Sequence, residues 1–132
     1  MEKLYNLFTY GTLMQGFNNP YAEKLRLSSK YMGKGYFNGQ LYRVEWYPGA
    51  RFDPNTASQV HGEIYQLHSL EILEELDEYE DVLEDESASL YVRKVIPVKN
   101  SQEAVVPCWV YLYSQSVDDL PLIANGRFEI KP

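Results

Sequence analysis

Five runs of alternating or aromatic-rich residues recur along the chain, and each is bounded by Gly, Pro, Asn or Ser. Runs of this kind predict short β-strands that end at turns. Tyrosine, which occurs 12 times, favours strands because its ring packs well on a pleated surface. The predicted strands cover residues 4–10, 31–44, 59–67, 91–98 and 105–113.

Two segments carry helix signals. Asparagines followed by Pro20 precede residues 21–27, and Pro near the first helical position is typical of a capped helix. Ser69 is a candidate N-cap for a longer helix over residues 69–80. Strands outnumber helices and do not alternate regularly with them. The expected fold class is therefore α+β, a small, mostly antiparallel β-barrel or curved sheet with one or two flanking helices. Turns are expected at residues 47–49 and 53–55.

Length and composition limit the class of protein. A chain of 132 residues with 45% hydrophobic residues can bury a core, and a single domain over residues 1–132 is expected. The one cysteine, Cys108, excludes an internal disulfide and a cysteine-rich zinc site. No apolar run reaches the ~20 residues that a membrane span needs, and residues 1–20 lack a signal-peptide pattern. We expect a cytoplasmic protein with no membrane partner.

The charge balance argues against a nucleic-acid partner. The formal net charge is -7, from 19 acidic and 12 basic residues. Proteins that bind nucleic acids usually carry the opposite sign, because they gain most of their affinity by neutralising phosphates. A basic groove for stacked bases is also missing.

An apolar run near the start of the chain ends abruptly at Tyr10, Gly11, Thr12 and Leu13. This pattern predicts a strand that leads directly into a turn, which we call the Tyr-Gly-Thr-Leu loop. Glycine permits close approach of a ligand to the backbone, and the amides of such a loop can bind an anion or a developing oxyanion.

One carboxylate of the predicted 69–80 helix falls on the apolar side. Advancing about 100° per residue from Leu70, the apolar residues lie between about 180° and 300°, and most glutamates lie opposite. Glu80 lies at about 280°, inside the apolar stripe. Two interpretations remain open. The helix frays at Tyr79 and Glu80 turns to water, or Glu80 is held at the edge of the core, where burial raises its pKa and suits it to proton transfer.

Other reactive residue types give weaker signals. His61 and His68 are seven residues apart, which is not a metal-ligand spacing, and no metal site is expected. Cys108 lies in an apolar run and is expected to be a buried small hydrophobe. The sequence contains no Gly-x-Ser-x-Gly motif, phosphate-binding loop or dinucleotide fingerprint.

Three features occur in a specific order: the Tyr-Gly-Thr-Leu loop, then Leu-Asp-Glu-Tyr-Glu ending at Glu80, then Tyr91-Val-Arg93. Together they resemble the gamma-glutamylcyclotransferase-like (AIG2-like) family, which includes gamma-glutamylamine cyclotransferase. Gly16 and Asn18 extend the resemblance. Asp81 departs from it, because the family often has Gly there.

The resemblance implies a six-stranded β-barrel with flanking helices and a cavity at one end. It also implies that Tyr10, Gly11, Thr12 and Leu13 hold a γ-glutamyl group and that Glu80 is the proton acceptor. The family reaction is an intramolecular acyl transfer that releases 5-oxoproline and needs no metal or organic cofactor. The implied partner is a small γ-glutamyl substrate.

Several alternatives stay open at this point. Tyr91 and Arg93 alternate onto one strand face and are possible additional pocket residues. Pairing with an acidic residue is favoured for Arg93 over binding of the substrate carboxylate, and the role of Tyr91 is left undecided. A non-catalytic binding module that keeps the barrel and cavity is the main alternative function. A tailoring enzyme that removes a γ-glutamyl protecting group is a further one. The leaving group, expected to contact loops 46–55 and 84–90, and the oligomeric state are left undecided.

Overall fold

The structure is a computed structural model that describes residues 4–14, 19–45, 47–80 and 88–128. Gly16, Asn18 and Asp81 lie outside the described residues. The described part contains six strands and two helices, which follow one another as β1 (Asn6–Thr9), α1 (Pro20–Leu27), β2 (Ser29–Arg43), β3 (Pro48–Phe52), β4 (Gln59–Leu67), α2 (Ile72–Tyr79), β5 (Tyr91–Asn100) and β6 (Val105–Tyr113). No helix within these ranges is long and apolar enough to cross a membrane.

Five of the six strands close into a barrel. The sheet order is β3-β2-β4-β1-β6-β5, and β5 pairs back with β2 to complete the ring. Strands β1 and β6 are parallel, whereas the other paired strands are antiparallel. Strand β3 pairs with the second half of β2, from Gly39 to Arg43, and adds a sixth strand outside the ring.

The long strand β2 makes the closure possible because it pairs with β4 and also reaches β5. At the closing point Gly35 lies opposite Asn100, and Tyr36 lies opposite Lys99. A Cβ atom on Gly35 would lie 2.8 Å from the backbone oxygen of Lys99. Glycine at this position therefore allows the two strands to approach and the barrel to close.

The alternation of side chains along the strands divides the core into two layers. In β6, Cys108 and Val110 belong to the cluster inside the barrel. Tyr111 and Tyr113 belong to a second cluster, which also contains Leu25 of α1 and the buried residues of α2. The helices therefore cover the outside of the barrel, and the ends of both layers meet where β1 ends.

The α+β barrel expected from the sequence is confirmed, with six strands and two helices in the described residues. One strand was missed, because Pro48 and Gly49 were interpreted as a turn. Pro is tolerated as the first residue of a strand, and here Pro48 is the first residue of β3.

The start of the longer helix also differs from the expectation. Ser69 does not cap it, because α2 begins at Ile72 after a single turn. The Ser69 hydroxyl oxygen accepts a hydrogen bond from the Glu71 amide at 3.2 Å instead. The first helix agrees with its signals. It begins at Pro20, and the side chain of Asn19 caps it.

Candidate active site

A pocket with a volume of about 190 Å³ opens where β1 ends, beside the C-terminal end of α2. Its walls come from five separate parts of the chain. The lining residues are Phe8, Thr9, Tyr10, Gly11, Thr12, Leu13, Tyr47, Pro48, Tyr79, Glu80, Leu90, Tyr91 and Tyr111. The structure therefore brings the whole Tyr-Gly-Thr-Leu loop together with Glu80 and Tyr91, which are far apart in sequence.

The Tyr-Gly-Thr-Leu loop is held by the first turn of α1. The Asn19 side-chain amide donates to the Thr12 carbonyl at 2.9 Å, while its oxygen accepts from the Ala22 amide at 2.8 Å. The Met14 amide donates to the Gly11 carbonyl at 3.1 Å and closes the turn. These contacts use the carbonyls of the loop. Within the described residues, the amides of Gly11, Thr12 and Leu13 have no acceptor.

Close packing explains the glycine of this loop. A Cβ atom on Gly11 would lie 2.9 Å from the side-chain Cγ of Pro48, the first residue of β3. Any larger residue at position 11 would force either the loop or Pro48 to shift. The missed strand β3 therefore sets the position of the loop.

Glu80 follows the last residue of α2 and lines the pocket. Its backbone has left the helical region, with φ -89° and ψ 4°, but its amide still makes the helical hydrogen bond to the Leu76 carbonyl at 2.9 Å. The side chain is therefore still directed roughly as the helical pattern predicts. Nothing in the described part of the chain forms an ion pair with the carboxylate or donates a hydrogen bond to it. Burial without compensation raises the pKa of Glu80 to about 8.

The tyrosines of the pocket wall use their hydroxyls to hold the barrel together. Tyr10 donates to the Tyr111 carbonyl at 2.5 Å and accepts from the Ala50 amide at 3.2 Å. Tyr91 donates to the Pro48 carbonyl. Burial first, and then the nearby Glu80 carboxylate, raise the pKa of Tyr10 well above its usual value. These phenols are therefore neutral wall residues near neutral pH.

Asp77 lies one helical turn before Glu80, and its carboxylate accepts three hydrogen bonds. Arg93 binds it through two nitrogens, Nε to Oδ1 at 2.8 Å and Nη2 to Oδ2 at 3.0 Å. The Tyr111 hydroxyl also donates to Oδ1 at 2.6 Å. The guanidinium carbon of Arg93 lies 4.6 Å from the centre of the Trp109 ring, a cation–π geometry. Arg93 therefore pairs with an acidic residue and is not part of the pocket lining.

The remaining candidates lie away from the pocket. Cys108 is fully buried inside the barrel, and burial raises the pKa of its thiol to about 12, so it is unreactive. The His61 ring packs against Tyr36, with 5.7 Å between the ring centres, and His68 is exposed. Within the ranges that the structure describes, no three His, Cys, Asp or Glu side chains cluster as a metal site would require.

Sequence reasoning missed several residues of the site. Tyr47, Pro48 and Leu90 lie in loops expected to contact the leaving group, but nothing in the sequence singled them out individually. Tyr111 sits on a strand whose partner helix could not be derived from the sequence. Asp77 had a usable signal, because it falls within about 40° of Leu73 on the helical wheel and so borders the apolar stripe.

Comparison with known proteins gives a consistent result. A family model described as gamma-glutamyl cyclotransferase, AIG2-like, matches residues 7–129. The gamma-glutamylcyclotransferase family protein YtfP of Escherichia coli (strain K12) is 31% identical over 122 residues, which span 91% of this chain and 92% of YtfP. The ytfP protein of the same family from Citrobacter rodentium (strain ICC168) is 31% identical over 124 residues, or 92% of this chain and 93% of that protein.

A solved structure shares the fold. The crystal structure of an AIG2-like protein from Mus musculus superposes with a TM-score of 0.74 at 24% identity, over 97% of this chain and 90% of the mouse chain. The similarity to proteins of known structure therefore extends over both the barrel and the helices.

Proposed function

Because the chain belongs to the gamma-glutamyl cyclotransferase, AIG2-like family, we propose that it cyclises a γ-glutamyl compound and releases 5-oxoproline. The amine or amino acid attached to the γ-carbonyl would be the leaving group. The observation that carries this proposal is the Glu80 carboxylate, which lacks an ionic partner in the described residues and shares one pocket with the free amides of the Tyr-Gly-Thr-Leu loop.

The proposed reaction begins with proton transfer to Glu80. The α-ammonium of the substrate cannot attack the γ-carbonyl until it loses a proton. A carboxylate whose pKa is near 8 is a much stronger base than an ordinary glutamate, and its pKa is close to the operating pH. The nucleophile and the electrophile belong to one molecule, so the protein needs only to hold a folded conformer.

Attack of the amine forms a bond between nitrogen and the γ-carbon and places negative charge on the carbonyl oxygen. The amides of Gly11, Thr12 and Leu13 are available to stabilise this oxyanion, because their hydrogen bonds are not used within the described residues. One such donor is worth about 2.7–4 kcal/mol in comparable acyl-transfer sites.

The C–N bond to the leaving group then breaks, and the departing nitrogen is protonated. The α-ammonium gives up two protons in becoming the lactam N–H. The leaving nitrogen gains two in departing as an ammonium, so protons are conserved. In this proposal Glu80 relays them, first as base and then as acid.

Replacement of Glu80 tests the proposal. Glu80→Gln keeps the shape of the side chain and removes the base, so release of 5-oxoproline should fall by about 10²–10⁴-fold. The assay should cover γ-glutamyl compounds with three leaving groups, an amino acid, an alkylamine and the ε-amine of lysine. Glu78→Gln is the matched control, because Glu78 is exposed on the same helix, and it should leave turnover unchanged.

Two outcomes would overturn the proposal. Full turnover by Glu80→Gln would remove Glu80 from the mechanism. A wild-type protein that binds 5-oxoproline but converts none of the three substrates would indicate the non-catalytic binding module instead.

A further inference from the structure

The Tyr-Gly-Thr-Leu loop and the helix that precedes Glu80 are joined by a pair of hydroxyls. Thr12 Oγ1 and the Tyr79 hydroxyl oxygen lie 2.6 Å apart. Both residues line the pocket, and both are partly exposed. The Tyr79 ring also packs against Tyr21 of α1, with 4.6 Å between the ring centres, which fixes the position of the phenol.

A count of protons shows that this pair has an unused donor. Each hydroxyl carries one hydrogen, and their mutual bond uses one of the two. Whichever oxygen donates, the other keeps a hydrogen that points to no acceptor in the described residues. By contrast, the hydroxyl protons of Tyr10, Tyr91 and Tyr111 are already donated, to the Tyr111 carbonyl, the Pro48 carbonyl and Asp77.

The charge of the pocket shows what this donor is available to bind. Glu80 is the one charged residue in the described lining, which contains no Lys, Arg or His. The negative charge of ionised Glu80 is complementary to the positive α-ammonium of a γ-glutamyl unit. The α-carboxylate on the same carbon must then be held by neutral donors, and Tyr79 is the neighbour of Glu80 in sequence.

We propose that the Thr12–Tyr79 hydroxyl pair binds the α-carboxylate of the substrate and so selects compounds with a free carboxylate at that carbon. This inference rests on the proposed function, because that function defines the substrate. The pair acts as one unit: the first hydroxyl orients the second, and the second donates to the carboxylate. Removing either hydroxyl should therefore weaken the same contact.

Two substrates that differ at one group measure this selectivity. A γ-glutamyl amide and its α-carboxamide analogue both keep the α-amine and the γ-carbonyl, so both can cyclise. The wild-type protein should prefer the carboxylate by roughly 10–100-fold in kcat/KM, the range expected for a hydrogen bond to a charged group. Tyr79→Phe and Thr12→Val should each reduce this ratio about tenfold.

Three further variants separate recognition from a structural role. The double variant Thr12→Val with Tyr79→Phe should lower the ratio no more than either single change, because both remove one unit. Thr12→Ser keeps a hydroxyl and should restore the preference. Tyr21→Phe removes a hydroxyl outside the pocket lining and should leave the ratio unchanged. Equal losses on both substrates would overturn the inference, because the pair would then serve folding or the oxyanion.

A binding measurement distinguishes failure of this inference from failure of the proposed function. Calorimetry of 5-oxoproline and of 5-oxoprolinamide needs no turnover. Tighter binding of 5-oxoproline by wild type, lost in Tyr79→Phe, would support carboxylate recognition even if no substrate were cyclised. Equal binding of the two compounds by wild type would overturn it.

Discussion

Two carboxylates one turn apart on the same helix have opposite environments. Asp77 receives two hydrogen bonds from Arg93 and one from the Tyr111 hydroxyl. Glu80 receives none from the described residues and faces the pocket instead. The first carboxylate is paired with a cation, whereas the second has no such partner in the described residues and burial raises its pKa to about 8. The two acids therefore differ in whether the protein supplies a cation and hydrogen-bond donors, and not only in their burial.

The fold produces this difference because the two side chains lie against different parts of the protein. Asp77 faces β5 and β6, where Arg93 and Tyr111 supply donors. Glu80 lies just beyond the last turn of α2, in the same pocket lining as Tyr10 and Tyr91, whose hydroxyl protons are donated to backbone carbonyls. An uncompensated buried acid costs stability, and active sites commonly retain such a cost.

The environment of Asp77 depends on Arg93. Arg93→Met removes the cation but keeps much of the side-chain volume, so the Asp77 charge is left with the Tyr111 hydroxyl alone. Because the pair is partly solvent-accessible, with side-chain exposures of 23% and 24%, the free energy of unfolding should fall by about 3 kcal/mol, at the low end for breaking a buried pair. Urea unfolding at neutral pH measures it.

The double variant Arg93→Met with Asp77→Asn is the control. It removes both charges and should recover part of the lost stability, because no unpaired charge remains. A loss below about 0.5 kcal/mol in Arg93→Met would put the pair in the class of exposed salt bridges and contradict its structural role.

Removal of the Glu80 carboxylate should have a smaller effect on stability, and one of opposite sign. The folded pKa of Glu80 is raised from 4.5 to about 8, so between these values the folded state binds more protons than the unfolded state. The free energy of unfolding therefore falls as pH rises through this window. Glu80→Gln should match wild type near pH 4 and exceed it by about 2 kcal/mol near pH 9, after allowance for partial solvent access.

Urea unfolding of both proteins at the two pH values tests this. Glu75→Gln is the control, because Glu75 lies on the same helix in an exposed ion pair with Lys24. It should change stability by less than about 0.5 kcal/mol at either pH. If the free energies of unfolding of Glu80→Gln and wild type differed by the same amount at pH 4 and pH 9, ionisation of Glu80 would not be the cause of the difference.

Local patterns predicted most of the fold. Strands β4 and β6 occupy residues 59–67 and 105–113, as their alternation indicated. Strand β3 was missed because its first two residues, Pro48 and Gly49, favour a turn locally, while its pairing with β2 is a long-range contact. Closure of the barrel through β2 and β5 depends likewise on contacts between residues far apart in sequence.

The candidate site was also predicted only where local sequence patterns determine the structure. The helical pattern singled out Glu80 but left open whether it faces the core or water. The helix does end at Tyr79, yet the Glu80 amide still bonds to the Leu76 carbonyl and Glu80 lines the pocket. The direction of a side chain follows from the helix itself, whereas its ionic and hydrogen-bond partners depend on which strands pack against the helix. For that reason the sequence could not show that Asp77 is paired with Arg93, nor that Thr12 meets Tyr79.

The titration of Glu80 itself shows whether burial raises the pKa of this carboxyl in the folded protein. Carbon-13 NMR of the glutamate side-chain carboxyls, with the Glu80 signal assigned by its loss in Glu80→Gln, reports the pKa of this group in the folded protein. We predict a midpoint near pH 8, as expected for a buried carboxylate without a partner. A midpoint near the ordinary value of 4.5 would show that Glu80 is solvated or compensated, and would contradict its assignment as the base of the site.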